Sequence, residues 1–456
     1  MKTQRVRNAF LLIVGSVSVL PLYARNPVAA QAKPLHSKVV VVTLDGLPAR
    51  ALADPRLPMP TLRALAANGA AAAAMRPINP TVTWPNHTSL ITGVNASEHF
   101  VMANGLIDVP ANGGPPTVEP WVSKDNLVHA RTLYEAATEK GLTTGQVDWV
   151  AIYGAKGVRW QFGEQPDAQG EIAKELVGSG TVTEQELARF GDASSPAWRD
   201  ELWTDAAVDI IEKHKPDLLL VHLLQTDTIQ HIYAPFTPAA YAAYAYADQC
   251  LARIVEAARN AGTLEQTTFF ILSDHGFSTY NHTISPNALL LKHGYLQPQN
   301  GTFKSDVWVK AEGGAASVYV RNAGRREEIL PRLKEYFSKT PGIQHVYTNA
   351  EAQAIGIPSD AKTNQAPQLY MVAKPGYAFI DQITGPIEQT TGSLGQHGYL
   401  NTEPDMQALF IASGAAIRSG IHLDSISNLQ VAPTIATILG LSLPNATQSP
   451  LNQILR

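Results

Sequence analysis

The sequence predicts an α/β fold in which a mostly parallel central sheet is flanked by helices and carries a small α+β insertion. Three observations predict it. Short apolar, β-branched runs recur and stop abruptly at polar residues, Ala- and Leu-rich helical patterns separate them, and between His275 and Gly395 the pattern loosens. Continuous apolar runs suit strands buried on both faces, as in a parallel sheet under helices. Strands that alternate with helices build such a sheet.

At the amino end, Lys2, Arg5 and Arg7 precede the apolar run 9–20, and Ala30-Gln31-Ala32 offers a small-x-small cleavage site. Residues 1–32 therefore read as a secretory signal peptide. The apolar run is shorter than the roughly 20 residues a membrane helix needs. Its removal deletes Lys2, Arg5, Arg7 and Arg25 and no acid, taking the formal charge from −4 to −8. The mature chain is expected in the periplasm or secreted, with no membrane anchor after processing.

The elements follow in order. Lys38 opens the strand Val39-Val40-Val41-Val42-Thr43-Leu44, which ends in Asp45-Gly46. Residues 61–69 read as a helix stopped by Asn68-Gly69, and 132–140 as a second closed by Gly141. A strand at 218–224 closes near Asp227, and a long Ala-rich helix covers 241–261. Thr267 to Leu272 is a strand ending in Ser273-Asp274-His275-Gly276. Within the looser stretch, 317–320 and 369–373 read as strands and 325–338 as an amphipathic helix. A strand at 407–412 stops at Ser413-Gly414, and 431–439 forms a late helix. The expected organisation is a main domain over 36–285, an inserted α+β cap over 286–374, and the remainder of the main domain over 375–456.

Composition excludes several functions. Of 456 residues, 45% are hydrophobic and 16% charged, which permits a large core and excludes wholesale disorder. A net charge of −4 with no long basic run leaves no nucleic-acid-binding patch. Cys250 is the one cysteine, so there is no intramolecular disulfide and no Cys-rich metal cluster. A bound metal must use His and carboxylates.

Four separated segments supply them. Asp227 and His231 are one helical turn apart on one face. Asp274 and His275 are adjacent at a strand end, Asp45 ends the first strand, and His397 stands between Gln396 and Gly398. Three carboxylates and three imidazoles suit zinc or a similar transition ion rather than calcium. Singly, each has a plainer meaning: Asp45 as a turn residue, His397 as a structural histidine, Asp227 and His231 as a surface pair. They gain force because all fall at loops that follow strands, or at helix starts, of one α/β pattern. Thr83, in Pro80-Thr81-Val82-Thr83-Trp84-Pro85-Asn86-His87, is the candidate nucleophile. Pro85 fits the first turn of a helix running through Ser89-Leu90-Ile91. Thr83 then lies at the helix amino end, where N–H groups and the dipole favour an oxyanion. An ordinary Thr cap is the alternative.

Together, Asp45-Gly46, Thr83-Trp84-Pro85-Asn86-His87, Asp227 with His231, Ser273-Asp274-His275-Gly276 and Gly395-Gln396-His397-Gly398-Tyr399 resemble the alkaline phosphatase superfamily. The branch they resemble is the nucleotide pyrophosphatase/phosphodiesterase (type I phosphodiesterase) family, and the likeness spans about 38 to 445. The resemblance implies an alkaline-phosphatase-like fold and two zinc ions. One would be held by Asp45, Asp274 and His275 with Thr83, the other by Asp227, His231 and His397. It implies attack of Thr83 on a phosphate diester, a covalent phospho-threonine intermediate, then hydrolysis by water with configuration at phosphorus retained. Two metals about 4 Å apart suit such an in-line displacement. The resemblance also assigns Asn104 as donor to a non-bridging phosphoryl oxygen; on its own, Asn104-Gly105 reads as a turn.

Two features depart from the pattern. Gln230 stands where the family usually has Gly before the second-metal histidine. Lys156 and Arg159 lie in a stretch that can face the site in monoester-preferring members of the superfamily, where a dianion rewards added positive charge; the plainer and favoured reading is that they are solvated loop charges. The expected substrate is a small phosphate ester, a nucleotide-like diester first. A phosphomonoesterase using Lys156 and Arg159, a phosphonate hydrolase, and an inactive metal-binding protein are the alternatives. Substrate selectivity falls to the insertion and the loops near Trp149 to Trp160; Tyr153, Trp160 and Phe162 could stack a base there, but core aromatics is the favoured reading.

Overall fold

The apolar runs pair into one eight-stranded sheet in the computed structural model, which describes residues 37–190 and 195–456. The expected signal peptide lies outside the described residues. The strands are β1 (Lys38–Leu44), β2 (Ala70–Arg76), β3 (Thr144–Val147), β4 (Trp160–Phe162), β5 (Leu218–Leu223), β6 (Thr267–Leu272), β7 (Phe410–Gly414) and β8 (Ile421–Ser427). Their spatial order is β8-β2-β7-β6-β1-β5-β3-β4. Strand β7 runs antiparallel to both neighbours, and the other pairings are parallel.

Helices cover both faces. In chain order the helices include α1 (Pro60–Ala67), α2 (Thr83–Thr92), α3 (Leu133–Glu139), α4 (Pro196–Asp209), α5 (Gln225–Tyr233), α6 (Pro238–Asn260), α7 (Arg326–Ser338), which belongs to the insertion instead, and α8 (Val431–Leu439). The period-two alternation of a strand divides β1 between two cores. Val40, Val42 and Leu44 pack with Trp203 of α4 and Tyr244, Leu251 and Ile254 of α6. Val39 and Val41 pack with Leu133 and Ala137 of α3 and Ile435 and Leu439 of α8. Each fully buried aliphatic side chain contributes about 1.5–3 kcal/mol, and β1 is apolar from Val39 to Val42 and at Leu44 because neither face sees water; the buried Thr43 hydroxyl is satisfied by Val221 O and His87.

The looser stretch forms its own layer. Val307–Glu312, Ala315–Val320, Leu369–Ala373 and Ile343–Thr348 make a four-stranded antiparallel sheet in that spatial order. Ile329, Leu333 and Phe337 of α7 share a separate core with these strands, through Val318 and Met371. A further sheet joins Ser278–Ile284 to Gly376–Phe379 and to Glu388–Gln396, whose end delivers His397.

Candidate metal centre

Three ligand-bearing segments leave adjacent strands at their carboxyl ends: Asp274 after β6, Asp45 after β1, and α5 after β5. That edge is where open α/β sheets bind ligands. Gly46 permits the turn after Asp45. Its φ is +66°, and a Cβ there would meet the Phe277 ring at 2.7 Å. The Gly46 N–H donates to Asp274 Oδ1 at 3.1 Å, tying the ends of β1 and β6 together.

Helix α5 lacks a side-chain cap of its own. Asp200 of α4 supplies one, accepting from the N–H groups of Leu224 and Gln225 at 2.9 and 3.1 Å. Burial pushes the Asp200 carboxyl up to about 7. So fixed, α5 presents Asp227 and His231 one turn apart, with His231 Nε2 3.3 Å from Asp227 Oδ2. Gln230 does not intrude on the site. Its amide donates to the carbonyls of Gly46 and Thr226, both at 3.0 Å, and accepts from the Tyr244 hydroxyl at 2.7 Å. The side chain that departs from the family pattern therefore ties α5 to the Asp45 turn and to α6.

His397 reaches the site under the insertion. Its Nδ1 donates to Thr81 O at 2.9 Å, and the Gly398 N–H donates to the same oxygen at 3.1 Å. A Cβ on Gly398 would stand 2.0 Å from Glu312 O, so only glycine lets the Glu312–Ala315 hairpin lie this close.

The six residues gather as two trios, Asp45 with Asp274 and His275, and Asp227 with His231 and His397. Within each trio the prospective ligand atoms lie within 4.8 Å of one another. The His275 and His397 rings stack with centroids 3.9 Å apart, so the trios share a wall. All three histidines are oriented alike. Nδ1 donates to a backbone carbonyl, of Gly276 for His275, Gly395 for His231 and Thr81 for His397, at 3.1, 3.2 and 2.9 Å. That contact fixes the tautomer and turns Nε2 toward the carboxylates, as the outer contacts of metal-binding histidines do. Burial lowers the His275 ring to about 4 and the His397 ring to about 3, so both are neutral near pH 7. Burial opposes the charged form of His231 too, but Asp227 raises it above its usual range.

The carboxylates provide the test of a metal. Asp45 Oδ1, Asp227 Oδ1 and Asp274 Oδ2 are each buried without a hydrogen-bond partner, one orphan per carboxylate. A buried unsatisfied polar atom costs on the order of 1–3 kcal/mol, and clustered negative charge adds to that. Burial raises Asp45 well above the carboxylate range, and Asp274 and Asp227 push it further. Asp227 is desolvated as well, yet His231 and then His397 hold it below that range. Three orphaned oxygens facing three imidazole nitrogens form a donor set suited to zinc-like ions.

Thr83 is the first residue of α2, with Val82 as a cap that makes no side-chain bond. Its hydroxyl lies 3.4 Å from His275 Nε2, and the residue is 6% exposed. Asn104 accepts from the Trp84 N–H at 3.0 Å, which leaves its NH₂ group beside the helix amino end.

Lys156 and Arg159 are not brought here. A parallel neighbour must begin at the same edge of the sheet, so the crossover from β3 returns to the amino end of the sheet before β4 starts. There Arg159 N–H donates to Thr144 O at 3.0 Å, and its guanidinium pairs with Glu171 at 3.0 Å. Lys156 is exposed in the same turn, two residues before Val158. Tyr153 also differs from expectation. Phe162 is core, but Tyr153 is 58% exposed and meets Trp121 edge-on at 6.2 Å. Both line a cavity of about 560 Å³ that includes Trp84, next to Thr83, with Trp149 and Asp148 and without Lys or Arg.

Two residues beside the trios carry no motif. His222, near the end of β5, lies 2.9 Å from Asp45 Oδ2 and 2.8 Å from Asp148 Oδ2. A histidine within an apolar strand run was the available signal. Its partner Asp148 is 74 positions away, which no local pattern reveals.

Residues 39–400 match the sequence model of the type I phosphodiesterase / nucleotide pyrophosphatase family. The chain is similar to ectonucleotide pyrophosphatase/phosphodiesterase family member 7 of Homo sapiens, at 23% identity over 98% of this chain and 89% of that protein. It is also 23% identical to the venom phosphodiesterase of Macrovipera lebetinus, over 92% of this chain but 45% of that longer one. Among solved structures, murine ectonucleotide pyrophosphatase / phosphodiesterase 5, an inactive form in complex with AMP, superposes with a TM-score of 0.70. That match covers 92% of this chain and 100% of the other at 16% identity, a likeness of fold.

Proposed function

The chain belongs to the type I phosphodiesterase / nucleotide pyrophosphatase family, and from that premise we propose that it is an exported two-zinc phosphoric diester hydrolase acting through a phospho-threonine intermediate. The observation that carries this reading is the orphaned oxygen on each of three clustered carboxylates, facing imidazole nitrogens next to the Thr83 hydroxyl. Asp45, Asp274 and His275 would hold one ion and Asp227, His231 and His397 the other, with Thr83 Oγ1 completing the first set. Bound there, zinc supplies a lowered hydroxyl pKa and charge stabilisation at the attacking and leaving oxygens.

The protein does the rest. Helix α2 aims the Thr83 oxygen at phosphorus and offers its amino end to the developing anion. The Thr83 O–P bond forms as the ester bond to the leaving alcohol breaks, and water then cleaves the phospho-threonine. Asn104 donates its NH₂ to a non-bridging oxygen. Its replacement by Ala is expected to slow turnover by about 10²–10³-fold, the scale of one lost oxyanion donor. An unchanged rate in steady-state assays would remove Asn104 from the site.

The substrate proposed is a nucleotide-like or other small diester, its organic group seated in the aromatic cavity beside Trp84. A neutral amide at Asn104, with Lys156 and Arg159 at the far edge of the sheet, favours a monoanionic diester over a dianionic monoester. The test is kcat/KM for bis-p-nitrophenyl phosphate against p-nitrophenyl phosphate in zinc-loaded protein. A diester preference above tenfold, about 1.4 kcal/mol, is expected; a monoester preference would move the assignment to phosphatase. Export to the periplasm or beyond rests on the first 32 residues of the sequence. Among the described residues, no helix is long and apolar enough to cross a membrane.

A further inference from the structure

The two oxygens of Asp45 have different surroundings. Oδ1 has no hydrogen-bond partner and lies 3.5 Å from His275 Nε2, on the side of the proposed metal. Oδ2 is 2.9 Å from Nε2 of His222. The other ring nitrogen of His222 is 2.8 Å from Asp148 Oδ2, so the imidazole bridges the two carboxylates. All three side chains are at most 3% exposed, so no water competes for these contacts. The ring is also held from the side. His87 packs edge-on against His222 at 4.7 Å and against Trp149 at 4.9 Å.

Asp148 itself sits at a φ of +53°, uncommon for a residue with a Cβ. The chain adopts that conformation immediately after β3, where the carboxylate meets the His222 ring. Strain of this kind persists where surrounding contacts over-determine it, and it concentrates at functional sites.

We propose that His222 and Asp148 are positioning residues for Asp45: the ring binds Oδ2 and thereby commits Oδ1 to the metal, while Asp148 fixes the ring. Without that contact the Asp45 carboxylate could rotate and offer either oxygen, and the Asp45, Asp274 and His275 set would lose its preformed geometry. Contacts one shell out from a metal are typically worth 10–100-fold in affinity. This inference rests on the metal reading of the two trios.

Paired amide substitutions test it. In His222→Gln the amide nitrogen falls near the place of Nε2 and still donates to Asp45. In His222→Asn it falls near Nδ1, reaching Asp148 but not Asp45. Zinc affinity is read by competition with a chromophoric chelator, alongside thermal unfolding of the metal-free forms. We expect His222→Gln to stay within about threefold of wild type and His222→Asn to weaken one of two zinc equivalents by about 10–100-fold. Equal affinities in the two variants, both unchanged or both weakened, would overturn the proposal and leave the ring a packing role. Asp148→Ser leaves the His222 contact with Asp45 but removes the Asp148 carboxylate, so Nδ1 retains only its 3.2 Å contact with the residue 148 carbonyl, and it is expected to weaken the same equivalent by several-fold. An unchanged affinity there would remove Asp148, and it also decides the matter if a His222 variant does not fold. Wild-type protein that binds no zinc would instead overturn the metal reading itself.

Discussion

Replacing Thr83 by Ala is expected to abolish diester turnover, by on the order of 10⁴-fold or more, as when the nucleophile of a covalent mechanism is removed. The protein should nonetheless keep its metal, because none of the six Asp and His ligands is touched. No neighbouring hydroxyl can substitute. Thr81 Oγ1 donates to Tyr399 O at 2.7 Å and Thr226 Oγ1 to Asp45 O at 2.5 Å, while Thr43 Oγ1 is 2.9 Å from His87 Nε2. Of these four hydroxyls, that of Thr83 alone meets a side-chain atom of a prospective ligand, His275 Nε2. Its place at the start of α2 adds the helix amino end as an anion site. Steady-state rates and metal content measured on one preparation check this. A Thr83→Ala protein that keeps its zinc and turns over near the wild-type rate would show that water attacks phosphorus directly.

The parts of this site that were legible in the sequence are those that local pattern records. A strand buried on both faces is mostly apolar, so β1, β5 and β6 announce themselves despite Thr43, His222 and Thr267-Thr268, and their ends place Asp45, Asp227 and Asp274. The i,i+4 spacing puts Asp227 and His231 on one face of α5. Strand β2 was not legible. It is Ala70–Arg76, five of whose seven residues are Ala, a composition with strong helix propensity that sheet pairing overrides. Nor was the direction of β7, since an apolar run looks the same antiparallel as parallel. The distance between Lys156 or Arg159 and the ligands depends on which end of the sheet the β3–β4 crossover reaches, and only topology sets that. Tyr153 was misjudged as core because aromatic content does not tell a buried ring from one lining a cavity. His222 and Asp148 meet through strand pairing across 74 residues, beyond any spacing rule.

Removing the metal is expected to cost the protein both its activity and part of its stability. In the metal-free protein, Asp45 Oδ1, Asp227 Oδ1 and Asp274 Oδ2 stay buried and unpaired, and Asp45 carries the burden of burial plus two like charges. Folding must carry that cost unless cations offset it. The two divalent ions proposed would supply four positive charges where three carboxylates converge, and His275 and His397, neutral near pH 7, would add lone pairs without adding repulsion. A ligand that binds only the native state stabilises it by about 4 kcal/mol per site when its free concentration is 1,000 times its dissociation constant. Chelation should therefore abolish turnover and lower the melting temperature by several degrees. Two zinc equivalents per chain should restore both. Activity and melting temperature that both survive exhaustive chelation would mean that the six side chains hold no functional metal. The three orphaned oxygens would then need partners of another kind. A restoration that saturates at one equivalent would assign the function to one trio alone, and the shift in melting temperature would then be about half as large.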